Sequence, residues 1–118
     1  MQSVDKLKLI AKCLDDKKGK KIVALEVGQL TSISDYFVIA SGGSQTQVKA
    51  LADNVTDKLA EQGIMPVHIE GYGGGSWILL DYSDIVVHIF TDEMREFYDI
   101  ERLWTDAKEI TLDFLDDA

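Results

Sequence analysis

The sequence predicts an α/β domain: one mixed sheet of about five strands with helices packed on it. Three observations lead there. In the first half, apolar stripes at helical spacing alternate with short β-branched runs. The segment SWILLDYSDIVVHIF (76–90) then reads as two strands joined by a tight turn, which an all-parallel sheet would not contain. From Thr91 to Leu115 apolar residues return at helical spacing. A chain of 118 residues supports one core and one domain, residues 1–118.

Val4, Leu7, Ile10, Ala11 and Leu14 give the first helix its apolar face, and Gly19 is expected to end it. Lys17, Lys18, Lys20 and Lys21 surround that end, where they would satisfy the last carbonyls and the helix dipole. KIVALEV (21–27) and DYFVIAS (35–41) read as buried strands. Ser44 to Gln47 has the S-x-x-Q form of a capping box. Val48, Leu51, Ala52, Val55 and Leu59 continue it as a helix that Gly63 closes. Pro66 introduces a short strand, VHIE, and GYGGGS (71–76) forms a loop before the hairpin. The final helical segments draw their stripe from Phe97, Ile100, Leu103, Trp104, Ala107, Ile110 and Phe114.

A hydrophobic content of 46% with 28% charged residues excludes a disordered acidic tail. No apolar run approaches the ~20 residues that span a bilayer, and the first residues lack the apolar centre of a signal peptide, so a cytoplasmic location is expected. Cys13 stands alone and reads as a small buried hydrophobe. Residues 1–80 balance nine acids with nine Lys and Arg, whereas residues 81–118 hold twelve acids against three. The net charge of −9 therefore belongs to the last third, whose field attracts basic partners and repels phosphates.

Few residues suggest catalysis. SGGS (41–44) before a helix could cradle a phosphate, yet it lacks the Lys-Ser/Thr of a P-loop, and Ser44 is accounted for as an N-cap. A pair of metal-bridging carboxylates on a strand needs alternate positions, whereas Asp81 and Asp84 are three apart. A nucleotide-binding or nucleotidyltransferase enzyme built on the Gly-Gly-Ser turn with Asp81 and Asp84 stays as the alternative function. His68 and Glu70 would share a strand face, without the spacing of a zinc site. A two-residue turn at Tyr82 and Ser83 would set Asp81 opposite Asp84, Leu79 opposite Val86 and Trp77 opposite His88. One face of the hairpin, Ile78, Leu80, Ile85, Val87 and Ile89, is then core. The other, with Trp77, Leu79, Asp81, Asp84, Val86, His88 and Phe90, suits a contact surface.

The blocks SDYFVIASGGSQTQVKALADNV, WILLDYSDIVVHIF and REFYDIERLW, in this order and spacing, resemble the Iojap-like family of ribosomal silencing factors (RsfS) from the first helix to Trp104. The family block reads D-x-G-D, and Ser83 stands here in place of its glycine. The resemblance implies an α/β domain related to the nucleotidyltransferase fold without its catalytic carboxylates, no enzymatic activity, no cofactor and no metal. It implies binding to ribosomal protein fourteen of the large subunit, obstruction of subunit joining under nutrient limitation, and a homodimer in the free form. On this reading Trp77, Leu79, Val86 and Phe90 are the buried anchors, with Tyr82 and His88 beside them and Tyr98 and Trp104 beneath or alongside. Asp81, Asp84, Glu93, Glu96 and Asp99 would face the partner's basic residues. The negative charge keeps ribosomal RNA from this surface, so that any RNA touch is limited to the lysines at 17–21.

Overall fold

The amphipathic pattern of the first residues becomes helix α1 (Ser3–Asp16), whose Leu7, Ile10, Ala11, Cys13 and Leu14 are buried. The computed structural model describes residues 2–116, apart from the side chains of Phe114 and Asp116, so the stripe residue Phe114 lies outside what is described. The end of α1 differs from expectation. Lys18, with φ 63°, takes the left-handed position; its N–H donates to Asp15 O, and Gly19 N–H donates to Leu14 O. Gly19 is needed one position later, because a Cβ there would meet Leu14 O at 2.9 Å. The lysine side chains do not cap the helix: the carbonyls of Lys17 and Lys18 accept instead from Gln47 Nε2.

Strands β1 (Lys20–Glu26) and β2 (Tyr36–Gly42) pair antiparallel, with a bulge between Lys20 and Val23. Helix α2 (Gln45–Glu61) starts on Ser44, whose Oγ accepts from Gln47 N–H. Gly63, φ 75°, ends it as the sequence indicates. Then follow β3 (His68–Glu70), β4 (Trp77–Asp81), β5 (Ile85–Thr91), α3 (Asp92–Tyr98), α4 (Ile100–Leu103), β6 (Lys108–Ile110) and a 3-10 turn, Asp113–Asp116.

The sheet order is β3-β4-β5-β2-β1-β6, with β2 and β5 parallel and the other neighbours antiparallel. It is a mixed sheet of six strands, one more than expected. The extra strand, β6, replaces part of the expected helical end: Ile110 pairs with Ala24 at the β1 edge. Asp99 breaks the rest, since its φ of 45° stops α3 and its N–H donates to Arg95 O. No helix among the described residues is long and apolar enough to cross a membrane.

The two faces of the sheet are covered unequally. Helices α1 and α2 seal one, burying Val38, Ala40, Ile78, Leu80, Ile85, Val87 and Ile89. Over the other, among the described residues, lie the short segments after residue 91, where Met94, Ile100, Trp104 and Ala107 pack on Leu25, Phe37, Ile39, Val86 and Phe90. Arg95 fastens that thin layer: its Nε–H donates to Glu101 at 2.9 Å, and its Nη1 donates to Ser41 Oγ at 2.8 Å and to Lys20 O at 3.3 Å.

Candidate functional site

The hairpin keeps the expected faces but not the expected register. Trp77 pairs with Phe90, Leu79 with His88 and Asp81 with Val86. Tyr82 N–H donates to Ile85 O, so the turn residues are Ser83 and Asp84 rather than Tyr82 and Ser83. Ser83 has φ 76°, a conformation that favours glycine. A slip of two residues preserves every strand side chain's face, which is why the core set survives.

The slip separates the two aspartates. Asp81 Oδ1 accepts from Ser83 N–H at 2.7 Å, folding back over its own turn. Asp84 turns to α1, where Ser3 Oγ and Lys6 Nζ donate to it. Burial alone would raise the Asp84 carboxyl, but those hydrogen bonds and the Lys6 ammonium outweigh it and hold it below the usual carboxylate value. Its carbonyl also accepts from Asp35 N–H, Tyr36 N–H and Ser34 Oγ. Asp84 is thus a structural tie between α1, the hairpin and β2, not a contact acid, and the pair does not converge on a common metal position. His68 Nε2 and Glu70 Oε1 do meet, at 2.7 Å on the exposed edge, but among the described residues no group of three or more such ligands gathers.

Tyr82, counted above among the contact residues, is corrected more strongly. Its even position places it with Ile78 and Leu80 in the α1–α2 core, where its hydroxyl is buried and, among the described residues, has no partner. Burial pushes that hydroxyl up to about 12. An unsatisfied buried hydroxyl costs ~1–3 kcal/mol, so Tyr82→Phe is expected to stabilise the fold by about 1 kcal/mol in urea denaturation, without loss of any surface property.

On the opposite face the β5 row is sealed. Phe90 is 0% exposed, Val86 5% and His88 6%, so these three cannot serve as contact anchors; they form the bed on which the outer residues lie. Trp77 and Leu79 on β4 are half-buried. Trp77 stacks on Phe90 with ring centroids 4.9 Å apart and meets Tyr98 at 4.6 Å. Its indole N–H donates to His88 Nδ1 at 3.2 Å. Because an indole can only donate, Nδ1 must accept, and neutral His88 carries its proton on Nε2. Burial lowers His88 to about 4. Phe37 bridges the layers, edge-on to His88 at 4.9 Å and to Trp104 at 5.2 Å.

Apolar side chains reach solvent on the half-open β4 row and at the α3–α4 corner, and also at Ile33, Met65 and Val67. Phe97 is 73% exposed, Leu103 78% and Tyr98 45%. Phe97 and Leu103, assigned from sequence to the buried stripe, are the residues that reading missed as candidate contacts. Trp104 is half-buried, and Glu93, Glu96 and Asp99 are exposed around the corner with Asp81 partly so. β3 leaves its outer edge unpaired, and Glu70 and His68 continue the Leu79 and Asp81 rows on it.

The profile of the ribosomal silencing factor family, described as acting during starvation, matches residues 1–118. The chain belongs to this family. The ribosomal silencing factor RsfS of Bacillus subtilis is 40% identical over 108 residues, 92% of each chain. That of Chromobacterium violaceum is 45% identical over 101 residues, covering 86% of this chain and 83% of the relative. A crystal structure from Chromobacterium violaceum superposes with a TM-score of 0.87 at 43% identity, covering 89% of this chain and 88% of that one. The mixed α/β architecture of this silencing factor is thus that of its solved neighbours, and the family name ties it to ribosome-related silencing, a regulatory role.

Proposed function

We propose that this silencing factor works in the cytoplasm by occupying ribosomal protein fourteen of the large subunit, so that the small subunit cannot join. The observation that carries the proposal is the set of apolar groups left open among exposed acids: half-buried Trp77 against Tyr98, half-buried Leu79 on the same strand, Phe97 edge-on to Tyr98, and Leu103 exposed on α4. A chain that buries Phe90 and His88 on β5 still leaves Phe97, Tyr98 and Leu103 at the surface within seven residues of one another, close to exposed Glu93, Glu96 and Asp99.

The division of labour follows from magnitudes. Large apolar anchors supply most of an interface's affinity, while exposed ion pairs contribute ~0–1 kcal/mol each. Glu93, Glu96, Asp99 and Asp81 would mainly speed encounter with a basic protein and orient it. A contact of ~1,200–2,000 Å² is enough for specific binding, and bulk at the joining face then inhibits without turnover. The corresponding experiment is subunit joining: purified protein added to large subunits should lower the fraction that associates with small subunits in a sucrose gradient, and unchanged joining at saturating protein would refute the reading.

A further inference from the structure

Lysines fill four of the five positions from 17 to 21, namely 17, 18, 20 and 21, and all four are exposed. The simplest explanation, that they cap α1, does not hold, since backbone N–H groups and the Gln47 side chain satisfy those carbonyls. Of these four, Lys20 has an ionic partner, Asp92 at 3.1 Å, while among the described residues Lys17, Lys18 and Lys21 have none. Lys18 and Lys21 both have positive φ, 63° and 49°, where glycine or asparagine would be less strained and free of like-charge repulsion. Lys21 lies in the bulge of β1, a device that re-aims side chains.

The turn is also held firmly. Gln47 accepts from Gly43 N–H at 2.6 Å and donates to the carbonyls of Lys17 and Lys18, tying the lysine turn to the glycine turn. Its position relative to Trp77 follows from register: Trp77, Phe90, Ser41 and Lys20 stand in one row across the sheet. Three strand spacings of ~4.8 Å put Lys20 about 14 Å from Trp77. Acids bound the patch, with Asp92 on Lys20, and Asp15, Glu109 and Asp113 lining a cleft with Lys21. Such a patch suits a few local anionic contacts, not general attachment to nucleic acid.

We infer that the lysine turn at 17–21 is a second contact of the silencing factor, taking backbone phosphates of ribosomal RNA beside the docked ribosomal protein. This rests on the function proposed above. A large subunit presents both chemistries side by side, and a surface with apolar groups among exposed acids and a basic turn about 14 Å from Trp77 matches that juxtaposition.

The test compares three forms binding purified large subunits between 50 and 500 mM KCl: the natural chain, the Lys17→Gln/Lys18→Gln/Lys21→Gln variant, and Lys8→Gln/Lys12→Gln/Lys58→Gln as a control of equal charge change. Each phosphate contact contributes a slope of ~0.7–0.9 in log affinity against log salt, so the turn variant should have a slope shallower by about 2 and its deficit should shrink by about 100-fold across that range. The control should keep the natural slope, and all three should bind isolated ribosomal protein fourteen equally. A turn variant with the natural slope, or with an equal loss toward the isolated protein, overturns the RNA contact. Failure of the natural chain to bind large subunits at all would overturn the functional reading itself.

Discussion

Replacing Phe97 and Leu103 together by aspartate is expected to weaken binding to large subunits by about 100- to 1,000-fold while leaving stability within ~0.5 kcal/mol. The first figure follows from two anchors at ~2 kcal/mol each, with ~1.4 kcal/mol per tenfold. The second follows from exposures of 73% and 78%, with the edge-on contact of Phe97 on the exposed Tyr98 the aromatic packing that is lost. Binding is read by co-sedimentation and stability by urea denaturation of the same preparations. Trp77→Ala would be a less clear probe. It removes the stack on Phe90, the contact with Tyr98 and the hydrogen bond to His88 at once, so lost binding would be mixed with lost structure. Unchanged affinity in the Phe97 and Leu103 variant would take the α3–α4 corner out of the interface.

Stability should fall as the medium is acidified through a window that His88 sets. In the folded chain His88 titrates at about 4, and in the unfolded chain near 6.5. Between those values the unfolded state binds a proton that the folded state refuses, so stability rises with pH and declines as pH falls from about 6.5 toward 4. The loss over the window is on the order of 3 kcal/mol, at ~1.4 kcal/mol per unit. Denaturation of the natural chain and of His88→Phe at pH 7, 5.5 and 4.5 checks this. Carboxylate effects are common to both, so between pH 7 and 4.5 the natural chain should lose roughly 2.5 kcal/mol more than the variant. Equal losses would show that His88 is not buried in its neutral form.

Much of the fold was legible because strand and helix periods differ. The even-numbered aliphatics Ile78 and Leu80, with Ile85, Val87 and Ile89 across the turn, could only be one face, and that face is core. Period alone leaves the register open by two, since no glycine at 82–84 marks which two residues turn, although Ser83 takes the φ of 76° that a glycine would favour. The same parity assigns Tyr82 to the core once the turn moves to Ser83 and Asp84, against the contact role that the resemblance implies. The end of the chain was least legible. Asp99 in the left-handed region and the edge pairing of β6 with β1 are tertiary outcomes that no local pattern announces.

The candidate site divides in a similar way. Trp77 and Leu79 were identified correctly as members of the amphipathic face, but which of their neighbours would be covered depended on where α3 and α4 settle. Arg95 decides that through Ser41 and the Lys20 carbonyl, 54 and 75 residues away in sequence. An apolar stripe shows that side chains avoid water, not whether their own chain or a partner removes them from it. Hence Phe97 and Leu103 read as core while being, among the described residues, the most exposed large apolar ones after residue 91.

The most direct measurement is a joining assay in which large subunits are incubated with increasing silencing factor before small subunits are added. The account predicts that joined ribosomes fall in proportion to occupied large subunits, reach a minimum near one equivalent, and recover when small subunits are raised in excess. It predicts no inhibition from the Phe97 and Leu103 double aspartate variant over the same range. Joining that persists at full occupancy, or equal inhibition by the natural chain and that variant, would contradict it.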